Sequence, residues 1–376
     1  MMELIEKKPA KPENSKGSQP RYVLLAEALR LQILNRELAA GDRLPSFAEF
    51  RSQHGVTLTT TEKVYSLLEQ EGLIERRHGV GTFVAQPKQS FTGNIGFIGS
   101  LQSKRQRDPF TAHIMEGVQQ ALEEHERHLL YMGTNHVLNW RVGDKVDGVL
   151  ICNIDDPTPV LQQLPATMPR VSLVIAVPGI TSVVPDDQSG AKLAVRHLLE
   201  AGHRRIACLM ERLPSIARRR TAGYYDGMLE AGIEPEADWV RLTKTVPGKV
   251  ENEQPYLVWA RGQMRDWLKE GWRELGCTAI VVQNEVAAIG VMQILQEEGI
   301  QVPQQVSVIG FDGTEICDLV VPRLTVVDVP LTELGAKSIE VLVRQIAGEG
   351  LDEQVIALPM KLRAGDSVAS PPGDSK

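Results

Sequence analysis

The amino-acid sequence predicts an α/β chain: an N-terminal winged helix-turn-helix followed by a two-lobed domain built on parallel sheets. Three observations carry this. Residues 41–84 read as two short helices around a glycine corner, followed by a glycine-tipped hairpin. From residue 93 onward, short apolar strands alternate with amphipathic helices, the order that yields parallel sheets covered on both faces. At 376 residues the chain is also long for a single core, so several domains are expected.

Composition narrows the function classes. With 42% hydrophobic and 24% charged residues, usage is that of an ordinary globular protein. A formal net charge of −7 argues against a protein that coats nucleic acid non-specifically, yet leaves room for a small reading module on an acidic body. Cys152, Cys208, Cys277 and Cys317 lie far apart without a CxxC pair, which suggests buried free thiols in a reducing compartment. Residues 1–19 lack an apolar stretch of signal-peptide length and read as a disordered leader. No run approaches the roughly 18 apolar residues of a membrane span. A cytoplasmic protein without membrane partner, metal or cofactor is expected.

The first domain is expected over residues 20–84. Tyr22 to Leu38 spaces Val23, Leu24, Leu25, Ala28, Leu29, Ile33 and Leu34 as one apolar helix face, and Gly41-Asp42 ends it. Ser46 with Glu49 three residues on forms a capping box for the next helix. His54-Gly55 makes the corner, where glycine tolerates positive φ. Thr57 to Glu71 is the second helix of the pair, with Val64, Leu67 and Leu68 inward. Leu73 to Arg77 and Thr82 to Val84 are strands joined by His78-Gly79-Val80-Gly81, the wing.

The spacing LPS…HGV…LLEQEGLIERRHGVGTFV resembles the DNA-binding domain of the GntR family of bacterial transcription regulators. That resemblance implies a double-stranded DNA operator, the helix from Thr57 in the major groove and the wing glycines near the minor groove. Where the family usually has arginines, this chain has Ala48, Leu58 and Glu62. The candidate DNA contacts are Ser46, Thr57, Thr59, Thr60, Lys63, Arg76, Arg77, His78 and Gly79. Hydroxyls at a helix N-terminus suit a phosphate, and threonine methyls can touch thymine methyls. The threonines can equally serve only as a helix cap, and the arginine pair as a solvated strand end. From Arg21 to Val84, eight Lys/Arg balance eight Asp/Glu, so binding should come from placement and dimerisation rather than a basic field.

Residues 85–92 have linker composition, and 93–365 form the second domain, with a disordered tail expected from 366 to 376. Strands are expected at Asn94 to Gly99, Val146 to Cys152, Arg170 to Ile175, Ser182 to Val184, Ile206 to Met210, Ala279 to Val282, Val306 to Phe311 and Leu324 to Val327. A last strand is expected at Val355 to Leu362. Helices are expected at Phe110 to Glu126, Gly190 to Ala201, Thr221 to Ala231, Val258 to Leu275, Val286 to Glu298 and Leu331 to Ala347. The span is too long for one such sheet, hence two lobes.

The strings RHLLEAGHRRIACLM, ARRRTAGYYDGM, TAIVVQNEVAAIGVMQILQEEGIQVPQQVSVIGFDGTEI and PRLTVVDVPLTELGAKSIEVLVRQIAG occur in order. Together they resemble the effector-binding domain of the LacI/GalR repressors, itself similar to periplasmic sugar-binding proteins. A GntR-type reader on a LacI-type sensor is similar to the arrangement of arabinose-type repressors. The fold so implied places a small carbohydrate-like effector between the lobes, at the carboxyl ends of the strands. The candidates there are Asp108, Phe110, Asp186, Arg220, Asn284 and Asp312, with Asp187 weighed beside Asp186. Arg220 falls on the family's ligand-facing arginine. Asp accepts from neighbouring hydroxyls, arginine donates to paired oxygens, and Phe110 could stack on a sugar ring. By spacing alone Arg220 reads equally as a solvent-facing helix residue, and Asp312 and Asn284 equally as helix caps. Two departures stand out: the stretch from Tyr131 to Val146 is short for the family's helix, and 244–273 is long, with Tyr256, Trp259, Trp267 and Trp272.

Three functions compete at this level. The first is a homodimeric, ligand-responsive repressor. The second keeps the sensor but makes the winged helix a protein-interaction or dimerisation module. The third is an enzyme, against which stands the lack of any nucleophile–base pairing, metal-spaced cluster or GxGxxG after a strand.

Overall fold

The computed structural model describes residues 20–34, 37–77, 79–85, 91–99, 109–132, 145–152, 154, 156–211, 215–243, 254–350 and 354–373. They fall into two compact units, one within residues 1–90 and one within 91–376. The leader, most of the linker, His78 and Asp108 lie outside the described residues.

The first unit contains α1 (Arg21–Leu34), α2 (Phe47–His54) and α3 (Leu58–Gln70), with β1 (Ile74–Arg77) antiparallel to β2 (Gly81–Val84). The capping box is formed in full. Ser46 Oγ accepts the Glu49 N–H at 3.3 Å, and the Glu49 carboxylate accepts the Ser46 N–H at 2.7 Å. Gly55 ends α2 at φ 58°, where a Cβ would be strained. Leu29, Leu44, Phe50, Val64, Tyr65, Leu68, Ile74 and Val84 close one small core. The Tyr65 hydroxyl donates to the Pro45 carbonyl at 2.6 Å and ties α3 to the segment leading into α2. Arg30 Nε pairs with Glu71 at 2.9 Å and fastens α1 across the end of α3.

The second unit runs β3 (Asn94–Gly99), α4 (Pro109–Glu124), β4 (His128–Met132), β5 (Gly148–Cys152), α5 (Thr158–Leu161), β6 (Arg170–Leu173), β7 (Thr181–Pro185) and α6 (Asp187–Glu200). It continues through β8 (Ile206–Glu211), α7 (Ile216–Glu230), β9 (Val240–Thr243), α8 (Pro255–Lys269), β10 (Ala279–Val282), α9 (Glu285–Glu297), β11 (Ser307–Asp312), α10 (Ile316–Leu319) and β12 (Thr325–Asp328). Last come α11 (Leu331–Ile346), β13 (Val355–Leu358) and β14 (Lys361–Arg363). Two six-stranded sheets result, in the orders β13-β7-β6-β5-β3-β4 and β14-β12-β11-β10-β8-β9. Among the described strands of these sheets, every pair is parallel except β12 with β14.

The chain passes between these two lobes three times. It leaves β7 of the first sheet for α6, which packs on β10, β12 and β14 of the second. It returns after β12 to α11, which packs on β5, β6 and β7. The third passage corrects the sequence reading: the single strand expected from Val355 to Leu362 is two strands in different sheets, β13 beside β7 and β14 beside β12. Pro359 between them has no N–H to give to a ladder, so pairing stops there. Three short crossovers thus join the two lobes.

The helices pack closely where glycine permits. A Cβ on Gly117 of α4 or on Gly335 of α11 would fall well inside 3.0 Å of the other helix's backbone. In the second lobe, Trp259, Trp267 and Trp272 are buried core, so the aromatic-rich stretch builds the interior rather than a platform for a ligand. All four cysteines are buried, and burial pushes the Cys152 thiol up to about 12. The tail is also corrected: Ser367 is fully buried, donating to the Val308 carbonyl at 2.6 Å and accepting the Thr325 N–H at 2.8 Å. A polar run that satisfies strand ends looks like a disordered one when only composition is read. No described helix is long and apolar enough to cross a membrane.

Candidate effector cleft and nucleic-acid interface

Arg220, on α7 and 4% exposed, is the hub of a buried polar cluster at the candidate site. Its Nε donates to the Asp187 carboxylate at 2.8 Å, and its Nη1 donates to the Gln283 carbonyl. Nη2 lies 3.5 Å from Asp312, and the guanidinium covers the Phe311 ring with 4.3 Å to its centre. These partners come from α6, the end of β10 and the end of β11. One side chain therefore gathers three carboxyl-terminal strand ends. Asp187 is only 2% exposed; burial raises its carboxyl above the ordinary value although Arg220 and Arg219 pull it down. Asp312 is half-buried and sits at φ 91°, a left-handed conformation that costs a non-glycine residue about 1–3 kcal/mol.

The turn after β11 is held from α9. Glu285, buried, accepts the N–H groups of Gly313 at 2.9 Å and Thr314 at 2.7 Å, along with the Cys317 thiol at 3.0 Å. Sequence reading missed this residue. Its available signal was an acid directly after the Asn284 cap, at the head of an otherwise apolar helix.

Asp186 does something other than expected. Its carboxylate accepts the Ser189 N–H at 3.3 Å and caps α6, while Asp187 turns inward to Arg220. The N-cap position takes the first acid after β7, so the next residue, already helical, faces the cleft. Asn284 caps α9 by accepting the Ala287 N–H at 2.8 Å, a role compatible with its place beside Gln283. Phe110 lies in the first turn of α4 on the other lobe, half-buried against the main core. The structure thus joins Arg220, Asp187 and Asp312, with Asp186 capping α6 beside them.

A second contact spans the lobes. His113 of α4 places Nε2 2.9 Å from Glu315, just before α10, and Nδ1 3.5 Å from Glu116 of its own helix. Burial pushes the imidazolium down, but hydrogen bonds and charge from Glu315 and Glu116 outweigh it and hold His113 above its ordinary value. Arg363 lies beyond, acting on Glu315. The folded protein therefore binds this proton more tightly than the unfolded chain. The stabilisation is complete below the ordinary imidazole pKa of about 6.5 and is lost as pH rises through the raised one. The melting-temperature advantage of the wild type over His113→Gln is expected to shrink between about pH 6 and pH 8. A difference that stays constant over that range would exclude the bridge.

In the first unit, Thr57 caps α3: its hydroxyl accepts the Thr60 N–H at 3.2 Å and lies 2.9 Å from the Thr60 hydroxyl. Thr61 is buried, whereas Thr59 is exposed. Arg76 donates to Ser66 at 3.0 Å and pairs with Glu69 at 3.1 Å; Arg77 pairs with Glu75 at 2.8 Å. Exposed pairs like these are worth about 0–1 kcal/mol, so either arginine can turn to a phosphate. Lys63 Nζ sits 5.6 Å from the centre of the Tyr22 ring. Gly79 at the wing tip has φ 75° and open space where a Cβ would be.

Comparison with known proteins fits both units. Residues 21–84 match the model of bacterial regulatory proteins of the gntR family, and residues 195–368 match the periplasmic binding protein-like domain. The chain is 26% identical to the arabinose metabolism transcriptional repressor of Geobacillus stearothermophilus, over 89% of this chain and 93% of that protein. It is 29% identical to the ribose operon repressor of Escherichia coli K12, over 69% of this chain and 79% of that protein. Among solved structures, a LacI family transcriptional regulator from Mycobacterium smegmatis is 27% identical with a TM-score of 0.60, covering 74% of this chain and 99% of that one. The transcriptional regulator CelR in its cellobiose complex shares the fold, with a TM-score of 0.65, 23% identity and coverage of 84% and 92%.

Proposed function

We propose that this chain, a GntR-type winged helix-turn-helix joined to a LacI-type effector-binding domain, is a ligand-responsive repressor of transcription. The observation that carries the reading is the coexistence of a DNA-reading unit with a cleft gathered around Arg220 at three strand ends. It acts as a binder rather than a catalyst. The effector is a sugar or a similar small polar metabolite, a class supported by the arabinose and ribose repressors among its relatives. Asp312 accepts from ligand hydroxyls, Arg220 donates from a position fixed by Asp187, and Asn284 and Phe110 complete the wall. Ser46, Thr57, Thr59, Thr60, Lys63, Arg76, Arg77 and Gly79 face the operator.

Closure about the three crossovers is the two-state element that links effector to operator, and the linkage is reciprocal. The working form is a homodimer. Ile289 and Met292 of α9 line a groove beside Val320, Val321 and Pro322; Val321 is 91% exposed, and Leu319, next to Val320 in the chain, is 80% exposed. Apolar side chains this bare support coverage by a second copy. Leu319→Glu with Val321→Glu is expected to yield monomers in sedimentation and to weaken operator binding at least about tenfold, the loss that follows when one half-site must hold alone.

The direct test uses the full chain with DNA from its own locus at low salt. Retention of that DNA, with release or tightening by one sugar in a panel, supports the reading. A bound sugar at 100 times its dissociation constant should add about 2.7 kcal/mol of stability. If no such DNA is retained while a sugar still binds, the winged helix is an interaction module.

A further inference from the structure

We infer that Leu58 and Glu62 are themselves base readers and bias the operator toward thymine and cytosine. The inference rests on the DNA-reading proposal and deepens it. Its ground is what α3 leaves available. Thr57 and Thr60 engage one another, and Thr61 is buried, donating to the Thr57 carbonyl at 3.2 Å. Thr61, Val64, Tyr65 and Leu68 form the buried stripe of the helix. At 3.6 residues per turn, Thr59, Glu62 and Lys63 point away from that stripe, and Leu58 stands at its edge beside Glu62. Of these, Lys63 leans over Tyr22. Leu58 is 51% exposed at the leading end of the helix, with its apolar side chain held in water.

An exposed leucine offers nothing to a phosphate. The major-groove edge carries one apolar group, the C5 methyl of thymine, and covering it removes apolar area from water on both partners. Glu62, one turn further on, presents only acceptors. Cytosine shows it an N4 donor, whereas guanine shows two acceptors and repels it; adenine sets an N7 acceptor beside its amino donor. The carboxylate therefore selects for cytosine by attraction and against guanine by repulsion. Four residues of helix rise about 6 Å, close to two base steps. The thymine and the cytosine should lie within about two steps of each other in every half-site.

The test begins with the full-length protein and a random duplex pool, followed by equilibrium binding to the selected sequence. Replacing one thymine per half-site by deoxyuridine removes only a methyl. That change should weaken the wild type several-fold and leave Leu58→Ala indifferent. Glu62→Gln should lose at least about fivefold of the discrimination between cytosine and guanine at one neighbouring position. Both side chains are exposed, so circular dichroism and sedimentation of the variants should match the wild type. If selected sites show no such thymine and cytosine, or if Leu58→Ala remains as sensitive to deoxyuridine as the wild type, the inference is overturned while DNA reading stands. If the pool yields no bound sequence, both fall.

Discussion

Asp187→Ala is expected to cost about 3–5 kcal/mol of stability and to abolish the effector response, although Asp187 need not touch the ligand. The deletion leaves the Arg220 guanidinium buried, with the half-buried Asp312 3.5 Å away as its remaining carboxylate. Arg220→Ala is expected to cost a similar amount, because Asp187 is then a buried acid left with only the charge of Arg219; its carboxyl, already raised by burial, would be driven higher. The double variant should cost clearly less than the sum, since neither residue is then a stranded charge. Urea unfolding followed by fluorescence of the buried Trp259, Trp267 and Trp272 reads all three variants in the same lobe. Additive costs, or single costs below about 1 kcal/mol, would show that Arg220 is held by something other than this pair.

This pair also marks where sequence reading reached and where it stopped. Periodicity and capping chemistry located most elements because those signals are local: NIGFIG is a strand in the structure as read, and Ser46 with Glu49 is the capping box the spacing announced. Arg220 was found through a string resemblance, and Asp312 through its place at a strand end. What could not be read was non-local. Whether Asp186 or Asp187 faces the cleft depends on which one caps α6, a choice fixed by how the chain leaves β7. The division of Val355 to Leu362 between two sheets depends on partners between 33 and 173 residues away, Asp328 and Pro185 among them. The bridge from His113 to Glu315 joins residues about 200 apart, and no spacing rule reaches across two lobes.

Gly117→Ala should destabilise the protein by about 3 kcal/mol or more, against the usual sign of this change in a helix. Glycine inside a helix normally costs about 0.5–1 kcal/mol relative to alanine, so the substitution is stabilising wherever the new methyl has room. Gly262 in α8 is such a place, with nothing within 4 Å of a Cβ, and Gly262→Ala is expected to add about 0.5–1 kcal/mol. At Gly117 the methyl would enter the backbone of Thr332, and a carbonyl in the first turn of α11 cannot swing aside as a side-chain tip can. Gly335 meets the backbone of Ile114 in the same way from the other helix, so relief at one site is blocked at the other. The helices must separate, which opens the packing of α4, α11 and the sheet beneath them. The effect should reach the proposed function as well, because α4 carries the His113 that bridges to Glu315 and α11 is the return from the second crossover. Denaturation midpoints of the two alanine variants, measured side by side, decide the matter: they should move in opposite directions. A midpoint for Gly117→Ala that rises with that of Gly262→Ala would mean that the two helices are not in backbone contact in solution.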